Sequence, residues 1–187
     1  MIKFYKNFEC DYSIDVLSEI PSGVRAFCFP GAVEGGYVEG VTVSIIPRAD
    51  SNQSWIGTFA NGQLSPRAVS YVGACPDPEQ LCVIAKGDGY IVNVVRPAEY
   101  VEVPIMPIMG VTISQEHELL LMHSFDRVIA WGKSGLSWKT QPISFDGVRF
   151  LGINGDILRV EVLDVPAKRT VIASIDLKSG STEGGAR

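Results

Sequence analysis

Five glycine-containing turn dipeptides, Gly35-Gly36, Asn61-Gly62, Asp88-Gly89, Asp146-Gly147 and Asn154-Gly155, punctuate this chain between short runs of β-branched and aromatic residues. Such dipeptides supply the positive φ angles that tight hairpin turns require. The runs they separate, among them 26–29, 40–46, 81–85, 90–95, 119–122, 128–131, 157–163 and 170–177, are mostly of strand length. Prolines at 47, 66, 76, 78, 97, 104, 107, 142 and 166 interrupt any helical reading. Only residues 11–20 leave room for a short helix. The expectation is an all-β fold.

A spacing runs through the strands. Leu81, Leu119 and Ile157 each open a hairpin and follow one another at equal intervals, and Asp88, Asp126 and Asp164 keep the same interval. Trp55 and Trp138, each preceded by Ser, are separated by a little more than two such intervals. A period near 40 with four short strands per unit predicts a propeller-like array of about four antiparallel units, at 21–65, 66–105, 106–143 and 144–183. A sandwich or barrel is the alternative. Residues 81–94 and 119–132 should form equivalent hairpins turning at 86–89 and 124–127. No long polar linker divides the chain, so 1–187 reads as one domain.

Composition narrows the function classes. The chain has 187 residues, 46% of them hydrophobic, enough for a core without a metal or disulfide staple. Sixteen Lys and Arg against 21 Asp and Glu leave a net charge of −5, which disfavours a global grip on nucleic acid or an anionic membrane. No apolar stretch resembles a signal peptide or approaches the ~20 residues of a membrane span, so a cytoplasmic location is expected. Cys10, Cys28, Cys75 and Cys82 form no CxxC pair and read as buried, reduced thiols.

Four segments together resemble a known family: 81–90 (LCVIAKGDGY), 130–138 (AWGKSGLSW), 143–147 (ISFDG) and 176–180 with Gly184-Gly185. Their order is similar to that in small bacterial all-β proteins described only as hypothetical. The resemblance implies no activity, cofactor or catalytic residue. The chain departs from the family pattern at Phe145, where a Trp stands in a Ser-Trp-Asp-Gly turn, and at Leu163, where a Trp precedes the aspartate.

Candidate chemistry is sparse. His117 and His123 bracket a run that imitates a zinc motif, but Leu121 occupies the position of its second histidine. The two imidazoles would stand about 20 Å apart on one strand at ~3.3 Å per residue. Ser137 lacks the second glycine of a nucleophile elbow. Gly87-Asp88-Gly89 is a hairpin turn and no phosphate cradle, and residues 50–54 form a polar loop lacking the glycine and glutamate of a calcium site. No metal, cofactor or catalytic residue is therefore assigned. Trp131 reads as core. The most distinctive segment is 138–147, where Trp138, Lys139, Gln141, Phe145 and Asp146 bring two rings, a cation, an amide and a carboxylate together around Pro142. These five are the candidate binding residues, with Trp138 and Phe145 either an exposed pair or plugs in a seam. The expected function is a non-enzymatic module, antitoxin-like or regulatory, that binds a protein partner; oligomeric state is left open. The alternative is a small hydrolase or carbohydrate-binding protein using carboxylates and Trp in a cleft.

Overall fold

The computed structural model describes residues 2–186. They divide into two compact units, one ending at Pro107 and the other beginning at Ile108. The N-terminal unit holds β1 (Phe4–Tyr5), β2 (Tyr12–Leu17), β3 (Ala26–Phe29), β4 (Val33–Glu34), β5 (Gly40–Pro47), β6 (Trp55–Ala60), β7 (Tyr71–Ala74), β8 (Gln80–Ala85), β9 (Asp88–Asn93) and β10 (Tyr100–Glu102). They form sheet I, in the order β2-β5-β6-β3-β4, and sheet II, in the order β1-β7-β8-β9-β10. The C-terminal unit holds β11 (Gly110–Ser114), β12 (Leu119–His123), β13 (Val128–Gly132) and β14 (Gly135–Lys139), which form sheet III as a meander. Sheet IV follows as a second meander of β15 (Val148–Asn154), β16 (Ile157–Asp164), β17 (Arg169–Asp176) and β18 (Thr182–Gly184).

The fold is all-β, with two small sheets of four or five strands in each unit. The only helical segment among the described residues is a single 3-10 turn at Ser51–Gln53, capped by the Asp50 side chain. Two details correct the sequence expectation. The possible helix at 11–20 is β2, whose Tyr12, Ile14 and Val16 alternate onto the core while β2 pairs with β5 from Tyr12–Pro47 to Leu17–Thr42. That period of two outweighs any weak helical tendency. The units are also not purely antiparallel, because β1 runs parallel to β7 and β3 parallel to β6.

The β8–β9 and β12–β13 hairpins are both antiparallel, and each joins consecutive central strands of its sheet. The first turns on Lys86-Gly87, both at positive φ. Within each unit two sheets share one apolar core. Val43, Ile45 and Phe59 of sheet I meet Leu81, Val83 and Val92 of sheet II; Leu121 and Ala130 of sheet III meet Leu158, Val160 and Ile175 of sheet IV. Each fully buried aliphatic side chain contributes roughly 1.5–3 kcal/mol. One tryptophan clasps each pair. Trp55 Nε1–H donates to the Val94 carbonyl at 2.8 Å, and Trp138 Nε1–H to the Leu177 carbonyl at 2.7 Å.

Candidate protein-binding surface

The 138–147 segment separates into buried anchors and an exposed tip. Trp138 is only 8% exposed. Its indole lies over Gly180, where a Cβ would come within 2.8 Å of the ring, and Gly180 sits at φ +72° in the turn that makes this room. Of the two roles open to Trp138, the structure gives it the seam plug, so it is withdrawn as a surface binding residue. Thr140 is buried, its N–H donating to the Val128 carbonyl at 2.9 Å and its hydroxyl accepting from the Val128 N–H at 3.1 Å. Ile143 is buried and donates its N–H to Asp126 O. Ser144 donates to the Gly147 carbonyl at 2.7 Å and accepts the Leu163 N–H at 3.2 Å. Gly147, at φ +136°, closes the turn with its N–H on Phe125 O.

This pinning leaves Phe145 and Asp146 outside. Phe145 is 53% exposed, and Asp146, Lys139 and Gln141 are exposed as well. Phe145 and Trp138 are therefore no aromatic pair. Phe145 instead has Leu163 as its neighbour, its N–H facing the Leu163 carbonyl at 3.5 Å.

Beside this tip lies a shallow groove of about 270 Å³ lined by Gly147, Val148, Arg149, Glu161, Val162, Leu163 and Thr170. It belongs to the solvent face of sheet IV, which the alternation of β15–β17 defines. Val160, Val162 and Ala173 point to the core, so Arg159, Glu161, Leu163, Thr170, Ile172 and Ser174 point outward. Arg149 grips Glu161 through Nε at 3.2 Å and Nη2 at 3.0 Å, and Arg169 approaches Asp164 at 3.9 Å. Arg159 makes no ion pair or hydrogen bond among the described residues. Leu151, Val165 and Ile172 are each more than two-fifths exposed. A larger groove, about 360 Å³, lies in the N-terminal unit between Lys6, Glu9, Cys10, Asp11, Arg48 and Pro78. Its Arg48 is already bound to Cys10 O at 3.1 Å and faces Asp11.

One constellation escaped the sequence reading. Ser114 Oγ lies 2.8 Å from His117 Nδ1, and His117 Nε2 lies 2.7 Å from Asp156 Oδ1. Lys178 closes the chain on the other Asp156 oxygen. With Asp156 accepting from Nε2–H, Nδ1 is free to accept the serine proton, which is the polarity of a Ser-His-Asp triad with the ring nitrogens exchanged. Ser114 Oγ, however, also receives the His117 N–H at 3.4 Å, and Ser114 is only 5% exposed. A Ser three residues before its His, at the end of a strand, was the available signal; the partner carboxylate, far along the chain at Asp156, was not. Lys178 first, and His117 second, hold Asp156 below the usual carboxylate range. Asp126 is likewise held down by the Arg127 guanidinium, against partial burial. Asp88 moves the other way, raised by burial. Among the described residues no group of three or more His, Cys, Asp or Glu is arranged to hold a metal ion. His123 is buried, bonded at Nδ1 to Ser124 O and stacked edge-on against Phe150.

No family model matches the sequence, and no curated protein does. Among solved structures the chain is similar to the N-terminal domain of Nup159, with 11% identity and a TM-score of 0.42, over 97% of this chain and 52% of that one. The chain thus spans about half the length of that domain. Among the described residues no helix is long and apolar enough to cross a membrane.

Proposed function

We propose that the protein is a non-enzymatic interaction module of the cytoplasm, regulatory or antitoxin-like in kind, that docks a protein partner on the solvent face of sheet IV with Phe145 at its rim. The observation that carries this is Phe145 itself, a large ring 53% exposed on a tip held at Ile143, Ser144 and Gly147. A pinned ring loses little entropy on docking, and exposed aromatics of this kind anchor interfaces. Asp146, Lys139 and Gln141 flank it as polar rim residues. The test is affinity capture from the native host with the wild type and with Phe145→Ser. A partner held by the wild type and lost with Phe145→Ser, at an unchanged melting temperature, supports the reading. Equal capture by both proteins sinks it.

The hydrolase alternative has the Ser114–His117–Asp156 chain in its favour. Its sugar-binding form loses its platform, because Trp55, Trp131 and Trp138 are all buried. A hydrolytic activity on ester or glycoside substrates that disappears in Ser114→Ala would decide for the enzyme.

A further inference from the structure

We infer that the occupant of the sheet IV face is a second copy of this chain, docked face to face about a twofold axis. The inference rests on the reading of that face as protein-binding and adds the identity of the partner.

The first support is the layout of charge. Arg159 stands at one end of the face without an ionic partner among the described residues. Asp146 stands at the other, beyond Leu163, and also makes no ion pair or hydrogen bond there. Arg159 and Leu163 are four residues apart on β16, about 13 Å at ~3.3 Å per residue. Between them the Arg149–Glu161 pair neutralises itself. In a face-to-face dimer the axis lies in the interface, and an axis across the strands brings each end of the face onto the opposite end of its mate. Arg159 of each copy then meets Asp146 of the other, and Phe145 meets Leu151 beside the β15 bulge. A pattern with unlike ends is self-complementary under that rotation, which is what an isologous contact needs.

The second support comes from the sheet that occupies the same place in the N-terminal unit. Val94 and Leu177, the acceptors of the two tryptophan clasps, are separated along the chain by the same interval as Trp55 and Trp138. Carrying that interval back along the third strands sets Val92 on Ile175 and Ile91 on Ser174. Crossing each ladder then sets Leu81 on Leu158, Cys82 on Arg159, Val83 on Val160 and Ile84 on Glu161. The core positions stay apolar. The opposite face changes: Cys82, Ile84 and Ile91 are buried, whereas Arg159 and Glu161 carry charge at the surface. The face is thus a packing position of the repeat, made polar enough for a reversible contact. Three strand spacings of ~4.8 Å by about eight residues make it small, so the dimer belongs with weak, transient interfaces.

Sedimentation velocity of the full chain from about 10 μM to 1 mM tests this. The expected result is a reversible monomer–dimer equilibrium that weakens with added salt. Arg159→Asp and Asp146→Arg should each lower the association constant at least tenfold, and the double variant should recover it to within about threefold of wild type. Unchanged far-UV spectra certify that the variants fold; if one does not, the salt dependence and Leu151→Asp, with the same tenfold loss, take its place. A chain monomeric at 1 mM, single variants without effect, or a double variant that stays weak would each overturn the inference. A monomer whose Phe145→Ser variant still loses capture of another protein would overturn the second copy alone and leave the docking face standing.

Discussion

Trp138 and Phe145 share one short segment, and the structure predicts opposite consequences for their removal. Trp138→Ala deletes an indole that is 8% exposed, together with its hydrogen bond to the Leu177 carbonyl. A tryptophan buries about 150–250 Å², which at ~25 cal/mol per Å² is roughly 4–6 kcal/mol, in line with the roughly 3–5 kcal/mol of aromatic-to-alanine cavities. If water does not reach the abandoned carbonyl, a further ~1–3 kcal/mol is lost. The expected destabilisation is about 4–6 kcal/mol, a large share of the stability of a domain this size. Phe145→Ala removes a ring with about half its surface already in water, and should cost about 1 kcal/mol or less.

Urea unfolding followed by far-UV circular dichroism measures both without relying on the deleted fluorophore. Trp138→Phe refines the test, since it keeps most of the ring and removes the donor; about 2 kcal/mol is expected. Trp55→Phe should cost the same to within ~1 kcal/mol, because its donor meets Val94 O in the equivalent geometry. A Trp138→Ala variant within ~1 kcal/mol of wild type would refute the seam reading. So would a Phe145→Ala variant as damaging as Trp138→Ala.

Three further outcomes follow from buried side chains and one close strand contact. Stability should form a plateau in pH. Burial lowers the His123 pKa, so its contribution is present above the unfolded value near 6.5 and is lost as pH falls below it. Burial raises Tyr90 to about 12, and its contribution is present below the unfolded value near 10 and lost as pH climbs towards 12; denaturation midpoints across pH 5–11 check both limbs. Gly40→Ala should destabilise by about 2–3 kcal/mol in the same urea assay, because a Cβ there would collide with the Phe59 carbonyl of the paired strand. The four thiols, all buried, should react with an aromatic disulfide reagent far more slowly in the native protein than in 6 M guanidinium, where all four should titrate. Cys75 and Cys82, raised by burial, should be the slowest.

The turn that carries the candidate residues was legible in the sequence. The Asp146-Gly147 pair after a proline marks a turn, and turns lie at the surface, but the sequence left Phe145 open as an exposed ring or a seam plug. Trp138 was not resolvable, since its burial depends on a left-handed glycine far along the chain, Gly180, that clears space for the ring. The rest of the face was invisible for a similar reason. Arg159 and Leu163 share a face by alternation along β16, but Ile172 joins them only through the β16–β17 register, and register comes from pairing rather than from any local motif. The Ser114–His117 half of the hydrogen-bonded chain is local, whereas Asp156 reaches it from another sheet.

The fold itself was more legible, and the reason lies in what the repeat preserves. The equivalent positions Leu81 and Leu158 are separated by one residue more than two of the even intervals that link Leu81, Leu119 and Ile157, while Val92 and Ile175 lie six residues further apart than Leu81 and Leu158. The difference lies in one place. Past the pair Ala85–Asp88, which corresponds to Val162–Val171, sheet IV adds two more ladder pairs, Leu163–Thr170 and Asp164–Arg169, before a longer turn. A single hairpin lengthened outward leaves every inward position in phase, because side chains alternate with a period of two. Core alternation and the tryptophan clasp therefore survive while identities fade, and the even interval can be read at the starts of the second strands but not at their ends. The lengthened hairpin also carries Leu163 out beside Phe145, so the residues that broke the spacing are among those that build the exposed face.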